Sequence, residues 1–136
     1  MRKNFEPYVK FMIWQLEGGD KVHTVKGDPG GTTKYGISKA AHPKLDIPSL
    51  TEPEATQLYL DEYWTPNGCD ALPWPQDVLV FDTAVNQSRF FARQIGTWDW
   101  RDIMLARLER YCTKSNPIFI HGLANRLLKI RRWICQ

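Results

Sequence analysis

The chain has 136 residues, 43% hydrophobic and 24% charged, with a formal net charge of +3. That length suits a single domain, residues 1–136, able to bury a core without disulfide or metal staples, and the composition is that of an ordinary globular protein. No apolar run approaches transmembrane length, and the three His and three Cys lack metal-ligand or triad spacing. The Gly-Gly pairs lack the Gly-Lys-Ser/Thr of a phosphate loop, and outside the last helix no predicted helix is basic enough to read a DNA groove.

In chain order, Phe5, Tyr8, Met12 and Leu16, with Val9 and Ile13 beside them, recur at helical spacing. Asn4 is the expected N-cap, and Glu6 puts negative charge in the first turn. Gly18 and Gly19 stand where a helix end wants left-handed residues, which makes Glu17 the last residue of this helix. There the negative end of the dipole and shielding by Ile13 and Leu16 both disfavour an ionised carboxylate. An acid kept protonated near neutral pH is what a glycosidase needs to protonate a leaving oxygen; the alternative is an ordinary solvated glutamate before a glycine cap. Lys21–Val25 suits a small strand or hairpin. Asp28-Pro29-Gly30-Gly31 is a turn that returns the chain toward the helix end, so that Asp28, Thr32 and Thr33 face Glu17 across a groove. A second carboxylate and a hydroxyl are the parts that hold and activate a water on the opposite sugar face; the alternative is that Asp28 caps its own turn and the threonines bond locally.

Ser38–Ala41 reads as a short helix stopped by Pro43. Thr51-Glu52-Pro53-Glu54 is a capping box opening a helix to about Trp64 that buries Ala55, Leu58 and Tyr59; Thr65–Gly68 breaks it. Gln76–Ser88 is too apolar all round for a surface helix and is the expected central buried one. Asp82 and Asn86 lie four apart on it and need partners or a wet cleft: either they brace the fold by hydrogen bonds, or Asn86 lines the groove and binds an acetamido or hydroxyl group. A short helix, Phe90–Gly96, is followed by one opening at Trp98-Asp99-Trp100 and running past Tyr111. The last spans about Ile118–Ile134, with Arg126, Lys129, Arg131 and Arg132 beside an apolar stripe. Its apolar face completes the core, and its cations complement the dipole or hold an anionic surface. Six tryptophans suit an aromatic core or a sugar-binding groove. The widely spaced Cys69, Cys112 and Cys135 read as reduced thiols.

Glu17-Gly18-Gly19 followed by Asp28-Pro29-Gly30-Gly31-x-Thr33-x-x-Gly36-Ile37 resembles the signature of glycoside hydrolase family 108, phage and prophage N-acetylmuramidases that cut peptidoglycan. Glu54-Ala55 with Tyr59 and Tyr63-Trp64 is similar to the family's A…Y…YW helix, and Val80–Asn86 to its FD-x-A-x-N helix. The chain departs from the pattern at Gln87-Ser88, where the family often has glycine after the asparagine, and at Gly122–Arg126, where a Gly-Trp-x-x-Arg is common. The resemblance implies a mainly α, lysozyme-like fold with one small β-hairpin and the E-G-G glutamate, Glu17, as catalytic acid. With Asp28 and Thr33 as its expected catalytic helpers, Thr32, Tyr35, Tyr63 and Asn86 are the expected substrate contacts. No metal or cofactor is expected; the expected partner is peptidoglycan, met by a monomer, with no nucleic acid. No signal peptide is visible at Met1-Arg2-Lys3, so the expectation is synthesis in a bacterial host cytoplasm and delivery to the wall by a holin, a virion or a secretion route. The alternatives are a lytic transglycosylase on the same bond and a non-catalytic envelope-binding virion module.

Overall fold

The computed structural model describes residues 2–24 and 31–136; Asp28 and most of its predicted turn lie outside the described residues. The backbone gathers into two compact units, residues 2–66 and 67–136.

In the first unit a 3₁₀ turn, Arg2–Asn4, runs into α1, Phe5–Phe11, and a wider π-helical turn, Met12–Leu16, carries the helix to Glu17. Asn4 makes no side-chain cap, contrary to expectation, because the 3₁₀ turn has already begun the helix and gives it helical backbone angles. Phe5, Tyr8, Val9, Met12 and Ile13 are buried, as their spacing predicts. Three short strands, β1 His23–Thr24, β2 Thr32–Lys34 and β3 Ile37–Ser38, form an antiparallel sheet in chain order. Thr33 lies opposite His23 on one side and Ser38 on the other. Ser38 therefore ends a strand and does not start the predicted Ser38–Ala41 helix. Lys39 N donates to Thr32 O at 2.8 Å, prolonging the ladder, and only one turn follows, His42 N to Ser38 O at 3.1 Å. The capping box is present: Thr51 N donates to Glu54 Oε2 at 2.8 Å and Glu54 N to Thr51 Oγ1 at 3.4 Å. It opens α2, Glu52–Tyr59, which ends in a second π-helical turn, Leu60–Trp64. Ala55, Tyr59 and Trp64 are buried, Leu58 only half-buried, and the Trp64 ring meets Phe5 of α1 edge-on at 5.2 Å.

The second unit holds α3 Gln76–Asn86, α4 Arg89–Ile95, α5 Trp100–Lys114 and α6 Pro117–Ile134. Each of the last three has a side-chain N-cap: Ser88, Asp99 and Asn116. The α3 helix is buried from Asp77 to Ala84, as its composition predicts. Asp82, fully buried, receives Arg107 Nη2 at 2.7 Å from α5, and Arg126 Nη2 at 2.7 Å and Nε at 3.2 Å from α6. Burial pushes its carboxyl up, but Arg126 and Arg107 outweigh that and hold it at about 2. Arg126 thus belongs to the core, and the exposed basic residues of the last helix are Lys129, Arg131 and Arg132. The three cysteines are free thiols; Cys69 is buried, which pushes it up to about 12. The class is the mainly α, lysozyme-like one expected, with a small sheet of three strands.

Candidate active site

Glu17 terminates the π-helical turn. Its N–H donates to Met12 O, five residues back, at 3.0 Å, instead of to Ile13 O four residues back; Gly19 N takes Ile13 O instead, at 2.8 Å. Such widened turns recur at functional sites, because they re-aim the side chain that follows. Gly18 and Gly19 both have positive φ, +85° and +67°, as a left-handed helix end requires. A Cβ on Gly19 would come within 2.7 Å of the Trp14 ring, so this glycine is fixed by close approach as well as by conformation. The Glu17 side chain is half-buried.

The second wall of the site is the β2–β3 hairpin. Its two turn residues, Tyr35 and Gly36, both have positive φ, +53° and +79°, between the facing pair Lys34 and Ile37. This is the type I′ arrangement that matches the twist of the strands. A side chain in the left-handed region costs about 1–2 kcal/mol, and Tyr35 is held there by three contacts. Its N–H donates to Gly19 O at 3.1 Å, the buried Tyr59 hydroxyl donates to its carbonyl at 2.9 Å, and its ring meets Trp14 at 6.4 Å. Burial, with the carboxylates of Asp20 and Glu52, raises the Tyr35 phenol above its usual value. Gly36 is the point of closest approach. A Cβ there would lie 2.9 Å from Glu17 Cγ and 3.0 Å from Glu17 Cβ, and would strike the Tyr59 hydroxyl. The carboxylate stem of Glu17 is therefore packed against bare backbone, and the Tyr59 hydroxyl approaches the same glycine.

The predicted site residues fall into three groups. Glu17 and Tyr35 are brought together through Gly36 and Gly19, and Tyr63 packs its ring 5.9 Å from Tyr59. Thr32 and Thr33 occupy the central strand, half-buried. Thr33 lies opposite His23, whose Nε2 is 3.3 Å from where a Gly18 Cβ would sit. Asn86 belongs to the 67–136 unit, where its Oδ1 accepts from the Tyr111 hydroxyl; that is the bracing bond of its two readings. Sequence reasoning missed the positions of Gly36, Trp14 and His23. Trp14 is 41% exposed beside Gly19 and presents an aromatic face to solvent. A polar-aromatic pair before glycine between two strand-forming residues was the available signal for the turn. A cavity of about 520 Å³ elsewhere in this unit, walled by Arg2, Glu6, Glu52 and Gln57, contains none of the predicted residues.

The sequence profile of the family described as Glycosyl hydrolase 108 matches residues 11–87, a span that includes Glu17, the sheet and α3. No curated protein sequence matches the chain. The solved structure of SagA from Brucella abortus is similar over 99% of this chain and 95% of its own, with a TM-score of 0.73 at 21% sequence identity, a likeness of fold.

Proposed function

The chain belongs to glycosyl hydrolase family 108, which implies a peptidoglycan hydrolase, and on that footing we propose that it is a muramidase. It cleaves the β-1,4 bond between N-acetylmuramic acid and N-acetylglucosamine, with Glu17 as the general acid that protonates the leaving oxygen. The observation that carries this reading is the seating of Glu17. It stands at the end of a π-helical turn, its stem fixed against Gly36 and a half-exposed tryptophan three residues before it. A proton donor must be held in one geometry to be effective, and nothing in the packing of α1 asks for an acid there.

Thr33, on the central strand, and Asp28 are the candidates to hold the attacking water, and Thr32, Tyr63 and Trp14 the candidates to hold sugar. Tyr35 supports the site through its backbone. The exposed Lys129, Arg131 and Arg132 give the enzyme a weak hold on the anionic envelope, where it works after delivery as an endolysin or a virion component.

The test is digestion of purified peptidoglycan by wild type and by Glu17→Gln, with mass analysis of the fragments. Reducing ends released by wild type and lost in the variant, by about 10²–10⁴ in rate, are the expected result. Anhydro ends mean a transglycosylase, and equal release by both proteins removes Glu17 from the mechanism.

A further inference from the structure

The 67–136 unit contains a polar cavity of about 240 Å³ where α3 and α5 end, lined by Asn86, Gln87, Arg110, Tyr111, Lys114 and Ser115. Its polar groups are already sorted by their bonds. Gln87 spends both ends of its amide on Arg107: Nε2 donates to the carbonyl at 3.3 Å, and Oε1 accepts from Nε at 3.0 Å. The Tyr111 hydroxyl accepts from Arg107 Nη2 at 3.1 Å and donates to Asn86 Oδ1. That bond fixes which way the Asn86 amide is turned and leaves its NH₂ as donor. Arg110 Cζ stands over the Phe91 ring, 4.7 Å from its centre, which restrains the guanidinium without using its N–H fork.

What remains is a set of donors with no protein acceptor among the described residues: the Asn86 amide, the Arg110 fork, the Lys114 ammonium and the Ser115 hydroxyl. No carboxylate lines the cavity, and among the described residues neither Arg110 nor Lys114 is in a salt bridge. Two helix C-termini contribute about half a negative charge each. Two full positive charges exceed them, so the cavity is net positive by about one charge. Concave, cationic and rich in N–H donors, it fits an oxyanion, and the guanidinium fork matches a carboxylate or a phosphate.

We propose that this cavity is a carboxylate-binding subsite for the peptide stems carried by peptidoglycan glycan strands. The assignment of the ligand rests on the peptidoglycan reading above. In peptide-bearing strands the lactyl carboxyl of each muramic acid is amide-bonded, so the free carboxylates at regular intervals along the strand are those of the stem peptides. A subsite for them lets the enzyme distinguish stems with free carboxylates from amidated ones.

The test uses the full chain and three probes, L-alanyl-D-glutamate, its fully amidated form and inorganic phosphate, titrated calorimetrically against wild type, Arg110→Gln and Lys114→Gln. Wild type is expected to bind the dipeptide about tenfold more tightly than the amide does, and each variant to lose about tenfold, with unchanged melting for the exposed Lys114→Gln. Phosphate competing with the dipeptide supports the oxyanion chemistry; phosphate binding with no dipeptide binding overturns the stem-peptide assignment. Equal binding of dipeptide and amide, or unchanged binding in both variants, overturns the site. In parallel, KM is measured on peptide-bearing glycan strands with their stem carboxylates free and amidated. The variants are expected to lose wild type's preference for the free-carboxylate strands at unchanged kcat. If wild type cleaves neither strand, the glycosidase reading fails, while the dipeptide titration still decides the subsite.

Discussion

Gly36→Ala is the sharpest probe of how the acid is held. The residue has φ +79°, where alanine costs about 1–2 kcal/mol. The new methyl carbon would strike the Tyr59 hydroxyl and stand 2.9 Å from Glu17 Cγ and 3.0 Å from Glu17 Cβ. Carbon atoms in contact rest about 3.5–4.0 Å apart, so the Glu17 stem must retreat by roughly 0.5–1 Å or the hairpin must lift. Crowding of this kind adds about 1–3 kcal/mol, giving a total near 2–5 kcal/mol and a fall in Tm of roughly 6–15 °C. The larger effect is on turnover, because a displacement of about 1 Å in a catalytic group costs on the order of 10²-fold. The assay is release of reducing ends from peptidoglycan at a temperature where circular dichroism shows wild type and variant equally folded. Gly36→Asn separates the two causes, since asparagine tolerates the left-handed backbone but brings the same Cβ. It should recover part of the stability and none of the rate. A folded Gly36→Ala protein with wild-type kcat would refute the claim that this glycine exists to seat Glu17.

Asp82→Asn should leave Arg107 and Arg126 buried without their counter-charge and cost about 3–5 kcal/mol in urea unfolding at neutral pH. The folded carboxyl is held at about 2 against an ordinary 3.8. Being lowered, it contributes stability that is complete above about pH 5, about 2 kcal/mol, and is lost progressively as the pH falls past 3.8 and through 2; a gap between wild type and variant that stays constant from pH 5 to pH 2 would contradict this. Replacing Lys129, Arg131 and Arg132 together by Gln should leave Tm nearly unchanged, since exposed charges contribute little. It should weaken co-sedimentation with cell-wall sacculi at low salt, as rising salt does for wild type through a Debye length of about 3 Å at 1 M; unchanged sedimentation of the triple variant at low salt leaves these residues only their surface role.

The helices were legible in the sequence because their signals are local. The Thr51–Glu54 capping box, the apolar run in Val78–Val85 and the Gly18-Gly19 helix end each act within a turn or two of chain. The sheet was legible only in outline. Ser38–Ala41 has the composition of a helix start, yet the ladder bond from Lys39 to Thr32 competes for the same backbone and wins. The turn at Tyr35-Gly36 has no local signal because tyrosine is a poor left-handed residue, and it is tolerated through contacts with Trp14, Gly19 and Tyr59, distant in the chain. In sequence Arg126 is one more cation of its helix, and the burial of Asp82 from another helix separates it from the exposed ones. Glu17 was legible as a helix-terminal acid; that its stem rests on Gly36 was not, since no pattern in sequence records which backbone a side chain touches.

The meeting of three helices at the Asp82 carboxylate has a consequence for synthesis. As the second unit leaves the ribosome, α3 emerges with Asp82 in the middle of its buried face. It gains its first cation 25 residues later, at Arg107, and its second only after a further 19, at Arg126. Until both are out, burying α3 means burying a charge without its full complement, which costs several kcal/mol. The two cations are thus supplied by the last two helices, and the packing of α3 in its final form waits on α6.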